Sequence, residues 1–288
     1  MTIGDLGVVI PAYRASATIG RAVRSAFDAG ASEVVVVDDG SDDDTAERAE
    51  RAGARCIRQP NSGASLARVR GGHAIGTDFV IFLDADDSLI PDGVRASVEK
   101  LRGDHDLVVA AGTVIGVGSD GSERPFPVRF NPVNSKTLLT FGHGPWPPCA
   151  AVVRRSAWTS AQTVEPAALA PRYAEDYELL IRLSLIGSID VRNEPTCRYS
   201  LAGGKSVKSA QAAIEAKEAI RRYYAEHLGL EIEMMTRRRL AMAAAARRAR
   251  AHWSSGERIA AAAQMAQWFA ADPRYALAKL STKPWKRN

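Results

Sequence analysis

The sequence predicts an α/β fold: a mixed, mainly parallel sheet sandwiched by helices, with a helical extension at the C-terminus. Three observations carry this. Short β-branched runs alternate with amphipathic helical segments over the first hundred residues, acidic or proline-bearing turns follow those runs, and the composition shifts to Ala, Arg, Glu and Gln beyond Val207. Parallel strands need crossover connections, which place helices on both faces of the sheet.

With 288 residues, 46% of them hydrophobic, the chain can bury one large core with an appendage. No run of 18 apolar residues occurs and no basic segment precedes an apolar one at the start, so neither a transmembrane helix nor a signal peptide is expected and the chain is placed in the cytoplasm. Cys56, Cys149 and Cys197 are scattered without a C-x-x-C spacing, which fits reduced, buried thiols and argues against a zinc site or disulfide framework. The net charge of +5 is uneven: from Val207 onward 16 Lys+Arg face 7 Asp+Glu, leaving 22 against 26 before it. A near-neutral body followed by a basic segment suggests contact with something anionic.

In chain order, Val8-Val9-Ile10 is a strand stopped by Pro11. A helix follows with Ser16 as N-cap, an apolar face of Ile19, Ala22, Val23, Ala26 and Phe27, and Gly30 as its end. Val34–Val37 is a second buried strand closing on Asp38-Asp39-Gly40-Ser41, then a helix runs to Gly53, and Arg55-Cys56-Ile57 is a third strand. Asn61-Ser62-Gly63 opens a helix through Leu66, Ala67 and Val69. Phe79–Leu83 then reads as a strand buried on both faces, and Asp84-Ala85-Asp86-Asp87 stand where it ends. Side-chain alternation would aim Asp84 and Asp86 to one side, while Asp87 points to the other or begins a turn. Two carboxylates on one side suit a hard divalent ion such as Mg²⁺ or Mn²⁺, although Asp-x-Asp alone also describes a solvated turn. Ligands of such sheets bind at the carboxyl ends of strands, where Pro11–Tyr13, Asp38-Asp39 and Asp84–Asp86 all fall.

Further on, a helix is expected from Pro91 to Leu101, a strand over Leu107–Val117, and a hairpin at Ser119–Ser122 leading to Pro127–Phe130. Gly116-x-Gly118-x-x-Gly121 matches a dinucleotide fingerprint by letter, but no amphipathic helix opens after Gly121. Gly204-Lys205-Ser206 echoes a P-loop, but Tyr199 stands where its first glycine should be. The Pro/Gly-stiffened loop Gly142–Cys149, carrying His143 and Trp146, is either a substrate platform or a packed connector, and Ala150–Val153 is a strand. Glu175 and Asp176 lie in the first turn of a helix with Leu179, Leu180, Leu183 and Ile186 on its apolar side, where acids would also favour the helix dipole. Residues 207–288 read as basic helices with Trp253, Trp268, Phe269 and Trp285 interleaved, either packed as a helical hairpin or lying on a membrane surface.

Five stretches occur in order over roughly residues 6–200: Val9-Ile10-Pro11-Ala12-Tyr13; Val36-Val37-Asp38-Asp39-Gly40-Ser41 with Asp44 and Thr45; Asn61-x-Gly63-x-x-x-Ala67-Arg68-x-x-Gly71; Phe82-Leu83-Asp84-Ala85-Asp86-Asp87; and Glu175-Asp176. Together they resemble the family-2 glycosyltransferases of GT-A fold. The resemblance implies a catalytic domain over 1–206, its nucleotide-binding half about 1–100 and its acceptor half about 101–206, followed by the extension 207–288. It implies that Pro11, Ala12, Tyr13 and an acid of the Asp38-Asp39 pair surround the base, with Arg68 near base or phosphates. Asp84 and the adjoining Ala85 are implied beside the ribose, with Asp86 and Asp84 on a Mn²⁺ or Mg²⁺ ion that bridges the diphosphate. Asp176 is implied as the base that deprotonates the acceptor hydroxyl, with Glu175 in reserve, and the reaction as an inverting displacement on a UDP-sugar, with dTDP- or GDP-sugars as alternatives.

Two departures from the family pattern stand out. Many relatives carry a histidine after the tyrosine corresponding to Tyr199, and Ser200–Ser206 contains none, so Lys205 is expected to meet the diphosphate instead. The Gln-x-x-Arg-Trp pattern of processive polymerases is absent, so one sugar per encounter is expected. The acceptor is expected to be a sugar or lipid-linked hydroxyl in cell-surface polysaccharide, glycolipid or glycoconjugate synthesis, with peripheral membrane contact through 207–288 and no nucleic acid. Two other readings compete: a sugar-nucleotide nucleotidyltransferase, which would release pyrophosphate, and a non-catalytic basic module binding membrane or nucleic acid.

Overall fold

A computed structural model of the chain describes residues 3–201, 210–254 and 256–281. The elements are β1 (Ile3–Ala12), α1 (Ile19–Asp28), β2 (Ala31–Asp38), α2 (Thr45–Arg51), β3 (Arg55–Arg58), α3 (Ala64–Ala74), β4 (Phe79–Phe82), β5 (Ser88–Leu89), α4 (Pro91–Gly103), β6 (Leu107–Val117) and β7 (Glu123–Phe126). They continue with α5 (Ser135–Phe141), β8 (Ala151–Arg154), α6 (Arg155–Ser160), α7 (Glu175–Ser184), β9 (Ser188–Ser200), α8 (Ala210–His227), α9 (Arg237–Ser254), α10 (Arg258–Ala271) and α11 (Pro273–Ser281). Two compact units result. The first runs to Ala170 and resumes over Glu175–Leu201; the second holds Pro171–Ala174 and the helices after Leu201. The expected boundary at 206 lies outside the described residues.

The first unit is built on a 9-stranded sheet in the order β3-β2-β1-β4-β8-β6-β9-β5, with β7 on β6. β3, β2, β1 and β4 are mutually parallel, whereas β8 is antiparallel to both β4 and β6. The cause lies in the runs themselves. Leu6, Val8, Val9 and Ile10 of β1, Val34–Val37 of β2 and Phe79–Phe82 of β4 are buried without alternation, as strands covered on both faces must be. Each large apolar side chain so buried contributes about 1.5–3 kcal/mol. Ile19, Ala22, Val23 and Ala26 of α1 supply one cover. On α3, a Cβ added at Gly71 would lie 2.3 Å from a methyl of Val9, so glycine lets this helix sit directly on β1.

Several expectations shift. The N-cap of α1 is Thr18, because Ser16 is held in the preceding turn with its N–H directed to Asp43. β4 stops at Phe82, so the acids beyond it do not continue the pleat. The hairpin forms with Gly121 at φ +77°, but its second strand is Glu123–Phe126 rather than the prolines that follow. The strand β9 was not anticipated: Asp190, Arg192, Glu194 and Pro195 break its apolar pattern, and its pairing with β6 shifts register near Thr113 and Pro195.

In the second unit, Ile220 and Tyr224 of α8 are fully buried. The buried Arg221 pairs with Glu218 and donates to the Glu233 carbonyl at 2.8 Å, while Glu218 accepts from the Met235 N–H at 2.9 Å. That network fixes the segment joining α8 to α9. The second unit is therefore more than the hairpin expected.

Candidate active site

Three strand ends meet at one edge of the sheet. Ala12 pairs with Asp38, the Asp39 N–H donates to the Ala12 carbonyl at 2.8 Å, and the Leu83 N–H donates to the Val9 carbonyl at 2.9 Å. The segments after β1, β2 and β4 thus leave side by side, at the point where the strand order reverses. Pro11 and Ala12 end β1, and Tyr13 follows half-buried. The turn after Tyr13 is stitched to the one after β2: the Arg14 N–H donates to Ser41 Oγ at 2.9 Å and the Ala15 N–H to Thr45 Oγ1 at 2.8 Å.

Asp38 and Asp39 are both buried. Asp38 accepts from the Ser41 N–H at 3.1 Å. Asp39 accepts from Gln59 Nε2, the Ser62 N–H and the Gly63 N–H, each at 2.8 Å. Its carboxylate therefore organises the loop that starts α3. Gly40 is required between them and that loop, because its φ is +79° and a Cβ would stand 2.9 Å from the Asn61 nitrogen.

α3 carries Arg68 into the centre of the edge. Its Nη2 donates to Asp84 Oδ1 at 2.7 Å and its Nη1 to Glu175 Oε1 at 2.9 Å. Burial lowers the guanidinium pKa, but Asp84 and Glu175 outweigh it and hold the group above its ordinary range. Burial raises the Glu175 carboxyl, Arg68 pulls it down, and the net shift is upward. The resemblance implies Arg68 near base or phosphates; the structure adds that it ties the acid after β4 to the acid heading α7. Asp176, the next residue, is exposed.

The acids after β4 form a turn, with the Asp87 N–H donating to the Asp84 carbonyl at 3.1 Å. Asp84 and Asp86 reach solvent, while Ala85 and Asp87 are buried. Of the two courses open to Asp87, the turn is the one taken, and it separates the buried Asp87 from Asp84 and Asp86. Asp87 Oδ1 accepts from the Ser200 N–H at 2.8 Å, tying the turn to the end of β9. Arg21 of α1, which no spacing signalled, donates to the Asp86 carbonyl at 2.7 Å.

Asp84 and Asp86 fit a hard cation in kind, since both offer carboxylate oxygens that solvent can reach, and Mg²⁺ or Mn²⁺ completes its shell with water and phosphate oxygens. Among the described residues the group of three ligand-type side chains lying within 4.8 Å of one another is a different one, Asp87, Cys149 and Cys197, all buried. Burial pushes both thiols up in pKa, as inert core cysteines require. Cys56 is only half-buried, contrary to expectation, and burial pushes it to about 11. In the Gly142–Cys149 loop, Trp146 packs against the core while His143 lies by the stacked rings of Phe130 and Phe141. Lys205 lies outside the described residues.

The family model for Glycosyl transferase family 2 matches residues 7–160. An uncharacterized glycosyltransferase of Escherichia coli K12, YibD, is 34% identical over 93 residues, which are 30% of this chain and 27% of that protein. The chain thus spans about a quarter of that relative's length. Among solved structures, Staphylococcus aureus TarS 1–349 aligns with a TM-score of 0.56 at 16% identity, covering 100% of this chain and 93% of that one. TarS 1–349 in complex with UDP-GlcNAc gives 0.57 at 19%, over 94% and 79%. Glucosyl-3-phosphoglycerate synthase of Mycobacterium tuberculosis, in complex with phosphoglyceric acid, gives 0.51 at 21%, over 78% and 80%. At these identities the likeness is one of fold.

Proposed function

The chain belongs to glycosyl transferase family 2, an enzyme of glycosyl transfer on the GT-A fold, and from that premise we propose an inverting, metal-dependent transferase. It moves a sugar from a nucleoside diphosphate, a UDP-sugar first, to a hydroxyl of a sugar or lipid-linked acceptor in cell-surface polysaccharide, glycolipid or glycoconjugate synthesis. The observation that carries it is the bridge of Arg68 to Asp84 and Glu175, which couples the strand-end acids to the head of α7. TarS has been solved with UDP and with UDP-GlcNAc, which supports uridine as the first nucleotide to test.

In this reading Pro11, Ala12, Tyr13 and the Asp38-Asp39 pair surround the base, and the buried Asp39 presents a carboxylate already fixed by three donors. A fixed acceptor suits a uracil N–H, because it loses little freedom on binding. Asp84, Ala85 and Asp86 meet the ribose and the ion. Asp84 and Asp86 would hold Mn²⁺ or Mg²⁺, which supplies Lewis-acid neutralisation of the departing diphosphate. Arg68 fixes Asp84 and keeps positive charge beside the same anion. Asp176, exposed at the head of α7, takes the proton of the acceptor hydroxyl as it attacks the anomeric carbon, while Glu175, held by Arg68, positions that turn. Lys205 is assigned to the diphosphate in place of the family histidine.

Attack from the face opposite the diphosphate inverts the anomeric centre. The enzyme works on the cytoplasmic side, touching an anionic membrane through 207–288; no described helix is long and apolar enough to cross one. A thermal-shift panel of UDP-, dTDP- and GDP-sugars with and without Mn²⁺ tests the donor, since a ligand of the native state raises the melting point by mass action. A Mn²⁺-dependent rise with UDP-sugars is expected. A flat panel, or a rise indifferent to the ion, would overturn the metal-dependent reading.

A further inference from the structure

α10 is turned inside out for a surface helix. From Ile259 to Ala271 no residue is charged. At 100° per residue Ile259, Ala262, Ala263, Ala266, Phe269 and Ala270 share one face, and all six are exposed. Ile259 is 90% exposed and Phe269 39%. The opposite face carries the covered positions: Ala261 is buried, Trp268 is half-buried, and Gln264 accepts from Arg248 of α9 at 2.6 Å. A helix of a globular body ordinarily directs its apolar stripe inward and its polar stripe to water. Here a polar contact lies inside and the apolar stripe outside, and Trp253 and Leu277, 67% and 58% exposed, add to the apolar surface of the same unit.

The charges around the stripe select its partner. Exposed arginines stand at both ends, Arg250 before α10, Arg258 as its first residue and Arg274 after it, and the Arg258 guanidinium lies 5.8 Å from the ring centre of Trp253. The acids nearest in sequence are engaged: Glu257 with His252 at 2.6 Å, and Asp272 with the Tyr275 N–H at 3.1 Å. An uncharged apolar face framed by arginines and an exposed tryptophan matches the boundary of an anionic bilayer, where the face enters the acyl region and the cations meet phosphate. The 14 residues of α10 span about 21 Å at 1.5 Å per residue, too short to cross a bilayer.

We infer that α10 lies in the plane of an anionic phospholipid surface, inserting Ile259 and Phe269 while Arg258 and Arg274 contact headgroups. This deepens the membrane contact proposed above by naming its inserting element, and it stands whether or not the donor assignment does, because binding and turnover are read separately.

The test is flotation of the full chain with phosphatidylcholine vesicles that contain or lack phosphatidylglycerol, at low and high salt, for wild type and for the double variant Ile259→Ser with Phe269→Ser. Both side chains are exposed, so the variant keeps its fold and its turnover of soluble donor. Wild type should float with the anionic vesicles only, lose binding at high salt, and bind at least ten-fold more tightly than the variant. Failure of wild type to float at low salt, or equal binding by the variant, would overturn the inference. So would a wild-type dimer in solution that the variant abolishes while vesicle binding is nil, since that assigns the face to a second copy of the chain.

Discussion

Arg68 donates to Glu175 at 2.9 Å across 107 residues of sequence. The same guanidinium holds Asp84 at 2.7 Å, so one side chain of α3 joins the turn after β4 to the start of α7. Replacing it by Ala leaves two acids facing each other without a cation. Arg68→Ala should lower stability by about 1–3 kcal/mol, as loss of charged hydrogen bonds to a mostly covered group does, and should depress turnover far more than Arg68→Lys. Thermal unfolding and rate are the measurements. Adding Glu175→Gln to Arg68→Ala should then cost little extra, because the pair is already broken. A fully additive loss would mean the two residues are not coupled.

The two acids at the head of α7 divide by environment. Glu175 is taken up by Arg68, whereas Asp176 is exposed. Asp176→Asn should bind the donor with unchanged affinity, while kcat drops on the order of 10²–10⁴-fold, the usual contribution of a positioned base. Normal rates in Asp176→Asn, or an equal loss of donor binding, would move the base elsewhere.

Asp86 is exposed and its backbone carbonyl is held by Arg21, so removing its carboxylate leaves the turn anchored. Asp86→Ala should therefore remain folded without ligand but lose the Mn²⁺-dependent rise with UDP-sugar. Titration calorimetry with and without the ion separates the two contributions. Retained Mn²⁺-dependent binding would remove Asp86 from the ion.

Much of this edge was legible in the sequence because it depends on local rules. Unbroken β-branched runs such as Val34–Val37 must be buried on both faces, and the acids that follow them stand in the sequence itself. What spacing could not deliver were contacts set by tertiary placement. Arg68 was expected at phosphate or base, but its partner Glu175 sits on a helix more than a hundred residues away. The resemblance implies an acid of the Asp38-Asp39 pair beside the base, but only the fold shows three donors converging on Asp39, because the next crossover folds back over it. The strand β9 escaped notice because its charges and Pro195 disguise a half-covered element. The exposed face of α10 escaped too, since Ala-rich helices look alike from either side until neighbours are known.

Asp87 gives the chain a pH dependence of defined sign. Its Oδ1 accepts from the Ser200 N–H at 2.8 Å, but its Oδ2 is buried without a hydrogen-bond partner. Burial pushes the carboxyl up to about 7, Ser200 pulls against that, and Asp84 adds to the rise. Below about pH 4 the group is protonated in both folded and unfolded chains and contributes nothing. As pH rises toward 7 the unfolded chain releases this proton while the folded chain retains it, so stability falls across that window and levels off above it. The total is a few kcal/mol for so large a displacement in so buried a group. Asp87→Asn keeps an oxygen for the Ser200 N–H and removes the titration. Measured in chelator, so that Asp84 and Asp86 carry no cation, the melting point of Asp87→Asn relative to wild type should climb by about 5 °C or more between pH 5 and pH 8. A gap that stays constant over that range would show that the carboxyl ionises at its ordinary pH inside the fold.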